Sequence, residues 1–172
     1  MGDIRVLIAD NHVLTREALA ALIDTQEDMA VVGQAGDRGR TLECCRDAAP
    51  DVVIVDLLMP KREGLRAIKE IHGCCPHTRV LALSMHDDPM ELRAVLAAGG
   101  AGYITTRAPA KELLAAVREV HAGNTFIRAR VDGDAFVGAA PLHRSESRRA
   151  GTNSLLSRRE REVLDLLVDG YT

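Results

Sequence analysis

The stretch from Asp51 to Pro60, Asp-Val-Val-Ile-Val-Asp-Leu-Leu-Met-Pro, constrains the chain more than any other. Val52 to Val55 is a short, mostly β-branched apolar run. A run of this kind reads as a strand buried on both faces, which is the habit of parallel sheets. Asp56 follows at its carboxyl end, and Pro60 keeps the strand from continuing. Open parallel sheets carry their chemistry at the carboxyl ends of strands. A carboxylate is therefore expected at the rim of a sheet, within reach of a ligand or a phosphoryl group. Taken alone, the same residue also reads as a polar end to a strand.

Similar runs recur along the chain and alternate with amphipathic segments. Apolar strands are expected at Ile4 to Ala9, Met29 to Gly33, Arg79 to Ser84 and Gly102 to Thr105. Helices are expected between them. The first carries Leu14, Ala18 and Leu22 on one stripe, with Leu19 and Ile23 beside it. Thr41 to Ala49, Gly64 to His72 and Met90 to Ala98 follow, the last stopped by Gly99-Gly100. The fifth, Ala110 to Ala122, turns Leu113, Leu114, Val117 and Val120 inward, and Gly123 caps it. Five strands alternating with five helices predict a doubly wound α/β domain over residues 1–122, a parallel sheet covered on both sides by right-handed crossovers.

Residues 123–153 change character. Gly, Arg, Ala, Ser and Asp dominate, and only Ala135 to Val137 is briefly apolar, so the stretch reads as a linker. Residues 154–172 open a second domain. Ser157 and Glu160 have capping-box spacing, Val163, Leu164 and Leu167 form a stripe, and Gly170 ends the helix. Charge follows the same division: residues 1–122 carry 14 basic and 18 acidic side chains, the rest 8 and 7. Six arginines fall between 143 and 161. An acidic first domain with a basic connector suggests a regulatory module attached to an anion-binding one, although a solvated linker fits that composition too.

Other features exclude functions. No apolar stretch has membrane-spanning length and there is no signal peptide, so a cytoplasmic protein without membrane contact is expected. Cys44-Cys45 and Cys74-Cys75 lack the two-residue spacer of zinc and redox motifs, and reduced thiols are expected. Gly99-Gly100-Ala101-Gly102 lacks the Lys-Ser/Thr ending of a phosphate loop and precedes a strand. His12 is expected as a surface residue opening the first helix rather than a metal ligand.

Strand ends bring Asp10, Asn11, Asp56 and Ser84 toward one crevice, with Tyr103 in the fifth strand. Two carboxylates there suit Mg²⁺, a hard cation that keeps several waters. A carboxylate can also attack phosphorus and form an acyl phosphate.

Through Arg5-Val-Leu-Ile-Ala-Asp10, Asp51 to Pro60, Val80-Leu-Ala-Leu-Ser84 and Ala98-Gly-Gly-Ala-Gly-Tyr103, residues 1–122 resemble the receiver domain of two-component response regulators. Leu156 to Gly170 resembles the opening of a LuxR-type helix-turn-helix domain, and together the two point to the NarL/FixJ class. The resemblance implies a flavodoxin-like fold with strand order 2-1-3-4-5. It implies Asp56 as phosphoacceptor, and Mg²⁺ held by Asp10, Asp56 and the Leu58 carbonyl, with Asn11 a weak further ligand. Ser84 matches the switch hydroxyl and Tyr103 the aromatic coupled to it. Implied partners are DNA, a sensor histidine kinase and a second copy in a homodimer.

Two positions depart from the family pattern. Asn11 stands where a second acid is usual, and Thr106 where a lysine is usual. A unit charge pair at about 4 Å is worth on the order of 4 kcal/mol at an effective dielectric near 20, before desolvation. Losing such interactions predicts weakened metal binding and phosphoryl stabilisation. Arg107 is adjacent, but successive strand residues face opposite ways.

The expectation is a DNA-binding, non-enzymatic response regulator with an atypical receiver, its helix-turn-helix region incomplete at Thr172 so that this chain by itself would not read DNA. The alternatives are a receiver-like module working through protein contacts or a ligand, and a small Mg²⁺-dependent aspartyl phosphotransferase or phosphatase.

Overall fold

The computed structural model describes residues 2–131 and 134–141. Strands and helices alternate as β1 (Ile4–Ala9), α1 (Val13–Asp24), β2 (Met29–Ala35), α2 (Arg38–Ala48), β3 (Val52–Asp56), α3 (Glu63–Cys74), β4 (Arg79–Ser84), α4 (Pro89–Ala97), β5 (Gly102–Thr105) and α5 (Ala110–His121). A short 3₁₀ turn, Pro60–Arg62, leads into α3. Two further strands follow, β6 (Asn124–Val131) and β7 (Asp134–Pro141). The sheet order is β2-β1-β3-β4-β5-β6-β7. Every pairing from β2 to β6 is parallel, and β7 runs antiparallel to β6.

The doubly wound fold and the order of the first five strands agree with the sequence expectation. The strand count does not: the sheet has seven strands rather than five, and the extra two lie within 123–153, read above as a linker. Backbone pairing explains the difference. Gly102 and Tyr103 on β5 pair with Phe126 and Ile127, so the edge of β5 is covered. Phe126 is buried in the core. The composition of β7, Asp-Ala-Phe-Val-Gly-Ala-Ala-Pro, gives little strand signal, because Ala, Gly and Asp are poor strand formers. The residues expected to open a helix-turn-helix domain lie outside the described residues.

Strand alternation divides the core into two layers. Val6, Ile8, Ile54, Leu81 and Ile104 face α1 and α5, meeting Ile23, Leu113, Val117 and Val120. Leu7, Val53, Val55, Val80 and Tyr103 face the other way, meeting Leu42, Ile68, Ile71, Leu92 and Val95. In β3 all five residues are buried. The α1 stripe differs from expectation. Leu14 is 79% exposed, whereas Ala20 and Ile23 are buried and Leu19 and Leu22 pack against the core. The helix presents the Leu19–Ile23 side inward, and Val13 and Leu14 in its first turn are exposed. Cys45 is buried between α2 and the sheet, and burial, then the neighbouring cysteines, pushes its thiol up to about 12. Among the described residues no helix is long and apolar enough to cross a membrane.

If β6 belongs to the folded core, Phe126→Ala costs about 3–5 kcal/mol, the range for truncating a buried aromatic. Urea denaturation measures it. A midpoint unchanged by the substitution would mean that Phe126 adds nothing to the core.

Candidate phosphoryl-acceptor pocket

Asp56 ends β3 with its side chain 7% exposed. The chain leaves β3 through Leu57, whose N–H donates to the Leu83 carbonyl on β4. The Leu58 N–H then donates to Asp56 Oδ1 at 3.0 Å. One carboxylate oxygen is thus tied back to its own loop. The other, Oδ2, lies 3.8 Å from His12 Nδ1. Met59 is buried and anchors this loop. At Gly64, in the first turn of α3, an added Cβ would sit 2.4 Å from the Asp56 carbonyl oxygen. Only a residue without a side chain lets α3 start this close to the strand end.

Asp10 follows β1, the neighbour of β3, and is likewise buried. Its Oδ1 accepts from the His12 N–H at 2.7 Å and lies 3.2 Å from His12 Nδ1. Arg16 donates to the Asp10 carbonyl at 2.6 Å, fixing the turn into α1. His12 opens α1 as expected, with its side chain 59% exposed, yet its ring also reaches the two carboxylates. One ligand atom each from Asp10, His12 and Asp56 lies within 4.8 Å of the others. Asn11 Oδ1 is buried without a hydrogen-bond partner.

Ser84 ends β4 one residue beyond Leu83, the register partner of Asp56, and is fully buried. Its hydroxyl donates to Glu91 Oε2 on α4 and accepts from the His86 N–H at 3.1 Å. The fully buried Tyr103 phenol reaches the His86 carbonyl at 2.5 Å and Glu91 Oε2 at 3.0 Å. Thr106 is exposed just past β5, with its N–H donating to the Ser84 carbonyl at 2.8 Å. It borders a cavity of about 250 Å³ that Thr15, Leu19, Leu83, Ile104 and Leu113 also line. Arg107 is exposed as well.

The structure therefore brings Asp10 and Asp56 together, and sets Ser84 and Tyr103 on the two strands that follow β3 in the sheet. Sequence reasoning did not single out Glu91. It is the third residue of α4, after the N-cap Asp88, where a glutamate ordinarily reaches back to the cap. That routine role concealed it.

Residues 6–118 match the response regulator receiver domain. The chain belongs to the response regulator family. It is 38% identical over 171 residues to the oxygen regulatory protein NreC of Staphylococcus haemolyticus, an alignment spanning 97% of this chain and 78% of that relative. Among solved structures it resembles a LuxR-family two-component response regulator from Aurantimonas, with TM-score 0.68 and 30% identity over 71% of this chain and 87% of that one. The receiver domain of the response regulator NarL from Mycobacterium tuberculosis is similar too, with TM-score 0.68 and 30% identity over 72% of this chain and 99% of that one.

Within this receiver the Asp56 carboxyl is held above the ordinary carboxylate range. Burial is the largest cause, and the negative charges of Asp10 and Glu91 add to it. The Leu58 N–H and His12 oppose it. The charged form is thus disfavoured in the folded state, so ionising Asp56 removes stability as pH rises through its folded pKa. Asp56→Asn is expected to raise Tm at pH 7. The gain shrinks to nothing below about pH 4, where the carboxyl is neutral in both folded and unfolded chains. An equal gain at both pH values would show that charge is not its origin. Gly64→Ala forces α3 away from Asp56, and calorimetry should register a loss of about 1–3 kcal/mol, the usual cost of overpacking.

Proposed function

We propose that the chain is a DNA-binding regulator of transcription whose receiver has Asp56 as a weakened phosphoacceptor, so that phosphorylation is not its ordinary switch. The observation that carries this reading is a pocket with two adjacent buried carboxylates and, at the position after β5, an exposed threonine instead of a cation.

Asp56 Oδ2 is the better candidate nucleophile, since Oδ1 already accepts from Leu58. In transfer from acetyl phosphate, this oxygen would bond to phosphorus, the bond from phosphorus to the acetate oxygen would break, and acetate would leave. The donor set fits a divalent cation: two carboxylates converge, and the buried Asn11 Oδ1 lacks a partner that a cation would supply. Asp10, Asp56, Asn11 and the Leu58 carbonyl would hold Mg²⁺. When bound, Mg²⁺ would neutralise charge on the phosphoryl oxygens. Asn11 provides an oxygen without the negative charge of a second acid, so such binding is weak. Ser84 is the candidate hydroxyl for a phosphoryl oxygen, and Tyr103 its coupled aromatic. Thr106 cannot replace the charge of a lysine toward the phosphoryl group.

DNA contact is assigned to the LuxR-type segment that begins near residue 154, supported by the resemblance of Leu156 to Gly170 and by the LuxR-family structure from Aurantimonas. A sensor histidine kinase and a homodimer partner are the protein contacts that such a regulator would use. With the acceptor pocket weakened, dimerisation, a ligand or a partner protein sets activity.

Intact mass after incubation with Mg²⁺ and acetyl phosphate tests this. The expected result is a small phosphoryl adduct, lost in Asp56→Asn and enlarged in Thr106→Lys, which returns a cation to the pocket. Labelling as complete as that of an ordinary receiver would sink the proposal.

A further inference from the structure

Ser84 and Tyr103 are both fully buried, and both converge on the same oxygen, Glu91 Oε2. They come from different strands, β4 and β5, and Glu91 from the helix between them. A serine hydroxyl has one hydrogen to give. While Glu91 accepts it, Ser84 has none to offer a phosphoryl oxygen on Asp56. Hydrogen bonds to an ionised acceptor are also about twice as strong as neutral ones. Asp88 alone serves as the N-cap of α4, accepting from the Met90 N–H at 2.8 Å. The Glu91 carboxylate, rather than reaching back to the cap, is turned toward Ser84 and Tyr103.

We propose that Glu91 is a positioning residue, an internal acceptor that takes the hydroxyl hydrogen of Ser84 and holds the Tyr103 phenol inside. The inference rests on reading Ser84 and Tyr103 as the pair coupled to Asp56. In that setting the chain's own carboxylate occupies the acceptor role a phosphoryl group would have. The pair is then set without phosphorylation, and a phosphoryl group on Asp56 must compete with Glu91 for the Ser84 hydrogen. Two contacts frame this arrangement from the β4–α4 loop. The His86 N–H donates to Ser84, and the His86 carbonyl lies 2.5 Å from the phenol. The phenol has a single hydrogen, which the His86 carbonyl and Glu91 share, and the loop offers Ser84 a donor and no acceptor. The influence of Glu91 on Asp56, which it helps to hold above the usual carboxylate range, fits a third carboxylate facing the same pocket.

The test uses tyrosine fluorescence. The chain has two tyrosines, Tyr103 and Tyr171, and no tryptophan, so in a Tyr171→Phe background the signal reports Tyr103 alone. Acrylamide quenching is then compared for the parent chain, Glu91→Ala, Glu91→Asp and Glu91→Gln. Glutamine keeps the reach and an accepting oxygen. Aspartate keeps the charge in the first turn of α4, where it favours the helix, but is one methylene short. The quenching constant is expected to rise several-fold in Glu91→Ala and Glu91→Asp and to stay near the parent value in Glu91→Gln. Far-UV circular dichroism of each variant verifies that α4 is intact, and Glu91→Asp supplies the comparison should the alanine variant melt. A parent-like quenching constant in both shortened variants overturns the proposal. So does equal exposure in all three, which would mean that α4 has merely loosened. No phosphodonor enters this experiment, so a failure of the Glu91 contact is read separately from a failure of Asp56 to accept phosphate.

Discussion

Everything near the pocket follows from placing a carboxylate at the end of a strand that is buried on both faces. β3 has neighbours on each side and helices above and below, so its backbone groups are spent in the sheet and its side chains in the core. Asp56 is the first residue along it whose side chain has anywhere polar to go. Burying a carboxylate is costly unless hydrogen bonds or charges receive it. The Leu58 N–H supplies one bond, and the remaining oxygen is left facing His12 and the second carboxylate, Asp10. A group that is buried, partly satisfied and close to like charge is a receptive site for a cation or a phosphoryl group. Burial first, and then the neighbouring negative charge, raise its pKa.

Charge around the pocket is uneven. Three acids, Asp10, Asp56 and Glu91, bear on the pocket, while the position after β5 holds Thr106. Glu91 is not simply more negative charge. It engages two buried hydroxyls that belong to the two strands beyond β3, and so couples α4 to β4 and β5. The pocket is thus poor in cations but well supplied with internal acceptors. In the proposed function these two traits point the same way: little electrostatic help for an incoming phosphoryl group, and a switch pair already satisfied by the protein itself.

Much of the fold was legible because apolar runs and turn residues are local signals. β1, β4 and β5 have the bounds read from sequence, and the four inward residues of α5 are all buried. The misreadings have physical causes. In α1, Leu14 fits an apolar stripe, yet it lies in the first turn and stays exposed, because the helix packs through Leu19, Ala20, Leu22 and Ile23. β6 and β7 were missed because Arg128 and Arg130 interrupt one and Ala and Gly fill the other. β6 takes its strand character from pairing with β5, a non-local interaction that propensity does not carry, and β7 takes its own from pairing with β6.

The sequence by itself determined the order of elements from β1 to α5, the family, and the presence of Asp10, Asp56 and Ser84 at strand ends, because hydrophobic period and strand-terminal polar residues are written in contiguous residues. Only the tertiary structure decided which of these groups share a hydrogen bond. Glu91 reaches Ser84 and Tyr103 across a crossover, and His12 leans over two carboxylates 46 residues apart in the chain. Such contacts depend on where helices land on the sheet and on side-chain rotamers, and neither leaves a periodic trace in the chain that makes them.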